Sequence, residues 1–358
     1  MRVIIIGAGV VGLLTAFELV QAGCRVTLIE KNAGAVEASW AGGGIVSPLY
    51  PWRYPPAVTA LAQLAQDMYP ALAQRLLDLT GMDIELNPCG MLMLAPEDRR
   101  DALVWAKRYQ QQMAVLDKAQ IAQLAPGLAA FEHGLWLPGI ANVRNPRLLK
   151  TLAQALACLG VDYIHSTEIS RWRTRDRVVY GVETVGGQSY QADHFIVTSG
   201  AWSRMLLSDL GVDLPVRPVK GQMLLYKLPV GSLSQIVLHQ GQYLIPRRDG
   251  HLLCGSTLED VGFDKELTTV AREHLQQAAE RILPMLHGMT PLRQWSGLRP
   301  ASPNGIPFIG RSCQYDNLWV NAGQFRNGLV LAPASARLLA DLLLTRQPCV
   351  NPEPYQLL

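Results

Sequence analysis

Little in this sequence points to metal, nucleophile or nucleic-acid chemistry. Its six cysteines (Cys24, Cys89, Cys158, Cys254, Cys313 and Cys349) are far apart and form no C-x-x-C pair, so neither a disulfide framework nor a zinc site is suggested. The seven histidines show no H-x-x-x-H or H-E-x-x-H spacing, and there is no G-x-S-x-G elbow or P-loop. Charged residues make up 17% of the chain and the net charge is +3, too small an excess to argue for nucleic acid. No apolar run reaches the roughly 18 residues that span a bilayer. The chain opens on a strand-like segment instead of a charged-then-apolar leader, so a cytoplasmic protein with no membrane partner is expected. Internal repeats and low-complexity stretches are absent. What is there is 358 residues, 49% of them apolar, enough for a large core divided between two domains.

The chain is organised around its first thirty residues. Residues 1–6 (MRVIII) are a β-branched apolar run, followed at once by Gly7-Ala8-Gly9-Val10-Val11-Gly12 and a helix-like segment over 13–22. Residues 25–29 (RVTLI) form a second apolar run that ends at Glu30. Strand, glycine turn, helix, strand and acid together make a dinucleotide-binding fingerprint of a weak G-x-G-x-x-G match. Gly7 permits the tight turn, Gly9 lets backbone approach a pyrophosphate, and Gly12 lets helix pack on strand. The helix N-terminus favours phosphate charge, and Glu30 is placed to accept from ribose hydroxyls.

Further along, Ser39-Trp40-Ala41-Gly42-Gly43-Gly44 carries three successive glycines, read as a loop whose backbone lies flat against a bulky group. Residues 49–56 (LYPWRYPP) form a stiff aromatic segment, either a pocket cover or surface packing. A helix is expected over 57–79, with Leu61, Leu64, Met68, Leu72 and Leu76 on one face and a break or kink at Pro70. Strand material is expected over 84–94, polar-faced helices over 99–112 and 117–124, loop or strand over 135–143, and a helix from Asn145 to a stop at Gly160. Strands follow at 161–164, at 166–172 and 178–184 as a meander, and at 193–199. The last of these ends in Ser199-Gly200-Ala201-Trp202, a second small-residue turn at which backbone can approach a nucleotide. Residues 214–226 open a strand-rich region. In it, 242–246 and 251–256 flank Arg247-Arg248-Asp249-Gly250, a hairpin turn whose arginine pair is read as a solvated tip. A helix is expected over 269–286. A strand at 318–321 leads through Gly323 to Gly328 into a helix over 329–344, whose N-terminus favours developing negative charge.

These patterns give an α/β fold class: a discontinuous Rossmann-type domain (1–85, 142–217 and 296–358) and a second, sheet-based substrate domain (86–141 and 218–295). The candidate cofactor contacts are Gly7, Gly9, Val10, Val11, Gly12, Glu30, Lys31, Ser39, Ala41, Gly43, Gly44, Ser199, Gly200, Trp202, Asn327, Gly328 and Leu329.

The stretches IIIGAGVVGLLTAFELVQAG, ASWAGGGIVSPLYPWRY, ANVRNPRL, PVKGQM, QYLIPRRDG, WSGLRP and AGQFRNGLVLAP resemble the D-amino-acid-oxidase-like flavoproteins, and within them the glycine oxidases of the thiamine pathway. The resemblance spans nearly the whole chain. It implies a Rossmann-type FAD domain with a sheet-based substrate domain, and FAD as the cofactor. It implies that Arg299 in G-L-R-P clamps the substrate carboxylate with Tyr243 beside it, and that Arg326 walls the pocket on the flavin side. Ile169 would contact the adenine through its backbone, and Arg299, Arg326 and Asn327 would also lie against the cofactor. Related glycine oxidases are homotetramers, so a homo-oligomer is expected. The sarcosine-oxidase relatives attach flavin through a cysteine near the position of Gly297. Here the nearest cysteines are Cys254 and Cys313, so non-covalent FAD is expected. The glycine-rich loop over 41–45 departs from relatives that carry alanines there.

The residues agree on the type of reaction. There is one dinucleotide fingerprint, so with FAD alone the organic substrate must itself reduce the flavin, and the protein mainly orients it. An α-amino acid needs a carboxylate anchor, for which arginine offers a bidentate fork. Read without the resemblance, Arg299 is either that anchor or half of an internal salt bridge. Three functions follow: an oxidase for glycine, sarcosine or small D-amino acids that transfers hydride to flavin and reduces oxygen to hydrogen peroxide, a dehydrogenase that passes electrons to a quinone or carrier, and a non-catalytic FAD-binding subunit.

Overall fold

The structure is a computed structural model and describes residues 1–357. Its first strand, Arg2–Ile6, buries four of five residues, because a parallel strand in the middle of a sheet is covered on both faces and needs a continuous apolar run. The sheet it belongs to has six strands in the order Phe308–Arg311, Leu318–Ala322, His194–Val197, Arg2–Ile6, Arg25–Ile29, Asp162–Ile164. All neighbours are parallel except the first pair. Helices Val10–Gln21, Pro56–Thr80, Asn145–Cys158 and Gly328–Leu343 cover one face and share its core. The other face is covered by a separate three-stranded sheet, Ile169–Arg175, Val178–Thr184 and Ser189–Tyr190, whose Trp172, Val179 and Val182 pack on Ile4, Ile6 and Phe195.

The second large sheet has eight strands in the order Arg293–Ala301, Arg217–Lys227, His251–Gly255, Gln242–Pro246, Ile236–His239, Met91–Leu94, His133–Leu137, Ala114–Asp117. Its strands alternate faces. Leu224, Tyr226 and Leu244 pack with Leu275, Ala279 and Ile282 of the helix Thr269–Ile282. Met223, Tyr243 and Ile245 point the other way and share a cluster with Ile45 and Leu49 of the loop after the glycines.

Several expectations need correction. The helix Pro56–Thr80 runs unbroken through Pro70; one lost backbone bond is outweighed by a buried face that includes Val58, Leu61, Tyr69 and Leu76. Only Met91–Leu94 of residues 84–94 is strand, and residue 87 makes an isolated bridge to Asn142. Residues 38–41 form a short helix before the glycines. Arg247 is no solvated tip: it is 7% exposed, while Arg248 is exposed and pairs with Asp83. Among the described residues, no helix is long and apolar enough to cross a membrane.

Candidate active site

A continuous cavity of about 330 Å³ follows the carboxyl ends of the parallel strands and continues to the second sheet. Ligands of open α/β sheets bind in this crevice because strand-to-helix turns present free backbone there. The first turn is built for close approach. Gly7 holds φ of +106°, and a Cβ on Gly12 would lie 1.9 Å from the Gly7 carbonyl and 2.7 Å from Thr198 Oγ1. Gly12 therefore sits behind the cavity wall, packing helix onto strand, whereas Gly7, Gly9, Val10 and Val11 line it. Gly9 supplies no side-chain cap to the helix Val10–Gln21, and the Val10 N–H is taken by Ser39 Oγ at 2.9 Å. The remaining first-turn donors have no partner within the helix, an arrangement suited to phosphate.

Glu30 is buried at 8% exposure and lines the cavity. Its two carboxylate oxygens accept from Ala8 N at 2.8 Å and Asn32 N at 2.9 Å. Each oxygen keeps a lone pair for a ribose hydroxyl. Lys31, Ile169, Ser199, Gly200 and Trp202 complete this end. The Lys31 ammonium lies 3.5 Å from the centre of the Trp202 ring, whose other neighbour is Phe263 at 5.4 Å. These residues fit the adenosine and pyrophosphate of FAD.

The other end is set by the second sheet. Arg299, on the strand Arg293–Ala301, turns its guanidinium into the cavity. Its partners are all neutral: Lys220 O at 3.3 Å, Thr257 O at 3.2 Å and Ser256 Oγ at 2.6 Å. No described carboxylate comes within 4 Å of it, and nearby Lys220 takes Glu259 at 3.2 Å and Asp264 at 2.8 Å instead. The internal-salt-bridge reading of Arg299 therefore fails. Burial draws its pKa below the usual arginine value, and the charge of Arg326 pushes the same way. Gly221 gives the side chain room, since a Cβ there would sit 2.2 Å from the guanidinium nitrogens. Tyr243 lines the same end, and its hydroxyl donates only to Met223 Sδ, at 3.3 Å, a weak acceptor. Arg326 lines the cavity from the short helix Phe325–Asn327.

Gly43 and Gly44 line the cavity, as do Gly328 and Leu329 at the N-terminus of the last helix. Ala41 and Asn327 do not. Ala41 is buried beneath Gly297, where a Cβ would approach it to 2.6 Å, and Asn327 is buried at the N-cap of the last helix. The aromatic side chains after the glycine loop, Tyr50, Trp52 and Tyr54, lie outside the cavity. Tyr50 accepts from Gly241 N at 3.0 Å and Trp52 donates to Asp98 at 2.6 Å, leaving Ser47 and Leu49 as the lining residues there. Sequence reasoning missed Thr198, Asn145, Gln324 and Ser256. Asn145 and Gln324 stand inside stretches that carried the resemblance, whereas Thr198 and Ser256 become neighbours of the site only through sheet pairing.

Comparison with known proteins agrees with this geometry. The glycine oxidase of Pseudomonas aeruginosa is 52% identical over 357 residues, covering 99% of this chain and 98% of that protein. The glycine oxidase of Pseudomonas putida is 47% identical, covering 99% and 97%. The crystal structure of glycine oxidase from Geobacillus kaustophilus superposes with a TM-score of 0.93 at 30% identity, covering 100% of this chain and 98% of that one. The FAD dependent oxidoreductase (DAO) family model matches residues 2–342, and the chain belongs to that family.

Proposed function

We propose that the protein is a glycine oxidase: it oxidatively deaminates glycine, sarcosine and small D-amino acids, with molecular oxygen as electron acceptor and hydrogen peroxide as product. The observation that carries this reading is Arg299, a part-buried guanidinium that faces the cavity with only neutral partners. A substrate carboxylate would supply the missing counter-charge in a bidentate pair. FAD, when bound, accepts the hydride and its electrons pass on to oxygen. The chain's part is orientation. Arg299 holds the carboxylate, the Tyr243 hydroxyl exchanges its weak thioether partner for a carboxylate oxygen, and Arg326 closes the pocket wall. Orientation of this kind accounts for several powers of ten in rate. Among the described residues no histidine lines the cavity, and of its carboxylates (Glu30, Glu37, Glu168 and Asp209) Glu30 is held by backbone N–H groups, Glu37 pairs with Lys265, and none pairs with Arg299. The substrate amine must therefore arrive neutral, and the rate of flavin reduction should rise with pH as the ammonium loses its proton.

The division into two domains is part of the same proposal, with one amendment. The strand Arg293–Ala301 pairs with Arg217–Lys227 along its whole length, which carries the substrate domain through residue 301 instead of 295. A homo-oligomer in the cytoplasm also belongs to this reading. The experiment is a panel of glycine, sarcosine, D-alanine and L-alanine mixed with the FAD-loaded protein, first without oxygen and then with it. Flavin bleaching by glycine and D-alanine followed by peroxide formation is expected. Bleaching without peroxide would assign another electron acceptor, and bleaching by L-alanine alone would overturn the substrate class.

A further inference from the structure

The glycine loop is held from outside, at alternate carbonyls. Asn145 Nδ2 donates to Ser39 O at 2.7 Å, Trp295 Nε1 to Ala41 O at 2.9 Å, and Arg247 Nη2 to Gly43 O at 2.8 Å. Asn145 opens a helix of the six-stranded unit, whereas Trp295 and Arg247 come from the second sheet. Arg247 does not reach the cavity, yet it is buried without a carboxylate. Its Nη1 donates to Asn142 Oδ1 at 2.7 Å and Val143 O at 2.9 Å, and the neighbouring acids Glu85 and Asp249 are taken by Arg144. Burial lowers its pKa to about 10, so it stays charged at neutral pH. Burying a cation without a counter-ion is unfavourable, and three aligned acceptors must offset that. The guanidinium thus ties Gly43 to the 142–143 segment, whose Val143 N–H donates to Gly44 O at 2.8 Å.

Tyr243 and Ile245 share one face of the strand Gln242–Pro246, and Arg247 continues the same two-residue period just beyond it. All three meet the loop: a Cβ on Gly43 would lie 2.6 Å from Ile245 Cδ1 and 3.2 Å from Tyr243 Cε2, and one on Gly44 would lie 3.2 Å from Arg247 Nη2. We infer that Arg247 is a positioning residue for the reaction. It fixes the Gly43–Gly44 backbone against the strand that carries Tyr243, so one pleated edge sets the spacing between the cofactor-side loop and the substrate-side tyrosine.

The inference rests on the proposed function for the choice of glycine as probe. The FAD-loaded wild type, Arg247→Met and Arg247→Lys are compared by thermal midpoint, by the absorption spectrum and reduction potential of the bound flavin, and by anaerobic rapid mixing with glycine. Methionine keeps much of the volume and no donor. Arg247→Met should shift the flavin spectrum and lower the limiting rate of flavin reduction by about tenfold or more. The apparent Kd for glycine should stay within about twofold, because Arg299 is untouched. Arg247→Lys, with the charge and one donor centre retained, should recover part of the rate. A variant that melts earlier but keeps the wild-type spectrum, potential and limiting rate would overturn the inference and leave Arg247 a purely structural residue. If Arg247→Met does not fold, Arg247→Lys decides by the same readouts. If glycine fails to bleach the wild type, the proposed function falls, and the spectrum and potential still test Arg247.

Discussion

Arg299, part-buried, and Arg247, buried, both come from the second sheet and its turns, both lack a carboxylate partner, and both make three hydrogen bonds to neutral oxygens. They differ in what lies on the remaining side. Arg299 opens onto the cavity, whereas Arg247 closes onto the backbone of the glycine loop and Asn142. The lesson is that burial and missing counter-charge alone do not mark a ligand site; a void in front of the guanidinium does. Lys220 is the contrasting case, 1% exposed but fully partnered by Glu259 and Asp264.

The comparison breaks most sharply at Arg299. Because no carboxylate depends on it, Arg299→Met leaves no orphaned buried anion, and the fold and FAD should survive. Losing the anchor of a buried charge pair costs about 2–5 kcal/mol, so kcat/KM for glycine should fall by roughly thirty- to several-thousand-fold. Steady-state peroxide assays check this, with the flavin spectrum as control. Loss of FAD or precipitation would mean that Arg299 serves the fold and not the substrate.

Glu30 extends the comparison to the opposite sign, an anion held by backbone N–H groups and facing the same cavity. Glu30→Gln keeps an acceptor and removes the charge. Charge-assisted bonds are worth about 1.5–3 kcal/mol, so the FAD dissociation constant should rise by roughly ten- to a hundredfold, read from the fluorescence of released flavin. An unchanged constant would remove Glu30 from the cofactor site.

The smallest effect is expected at the partnered cation. Burial raises the pKa of Glu259, but hydrogen bonds from Thr257, Gln222 and Lys220 outweigh it and leave the carboxyl below its ordinary value of 4.5. A depressed carboxyl contributes stability that is fully present above its unfolded pKa and is lost as pH falls through the folded one. Thermal midpoints should therefore drop as pH falls below about 4.5, and Glu259→Gln should flatten that slope. A variant with the wild-type slope would assign the acid sensitivity elsewhere.

Much of the fold was legible because it rests on local signals. The 1–30 unit, the hairpin at 242–255 and the helix N-terminus at Gly328 each declare themselves within a short window. Glu30 and Gly43 could be read with them, whereas Tyr243, Arg299 and Arg326 came with the resemblance; all five line one cavity. What stayed hidden depends on sheet pairing. Arg247 looked like part of a polar turn because only the approach of residues 43 and 142–143, far away in sequence, buries it. Thr198 and Ser256 likewise gain meaning from neighbours more than 40 residues away. Pro70 misled because local propensity is overridden by the buried face of a long helix.

The central claim, that Arg299 is the carboxylate anchor, is tested most directly by binding without turnover. Acetate carries the carboxylate and no amine to oxidise. Titrated into the FAD-loaded wild type, it should perturb the flavin absorption spectrum and saturate, and with Arg299→Met the perturbation should vanish or need at least roughly thirtyfold more acetate. Equal saturation in the two proteins would contradict the assignment and place the carboxylate site elsewhere.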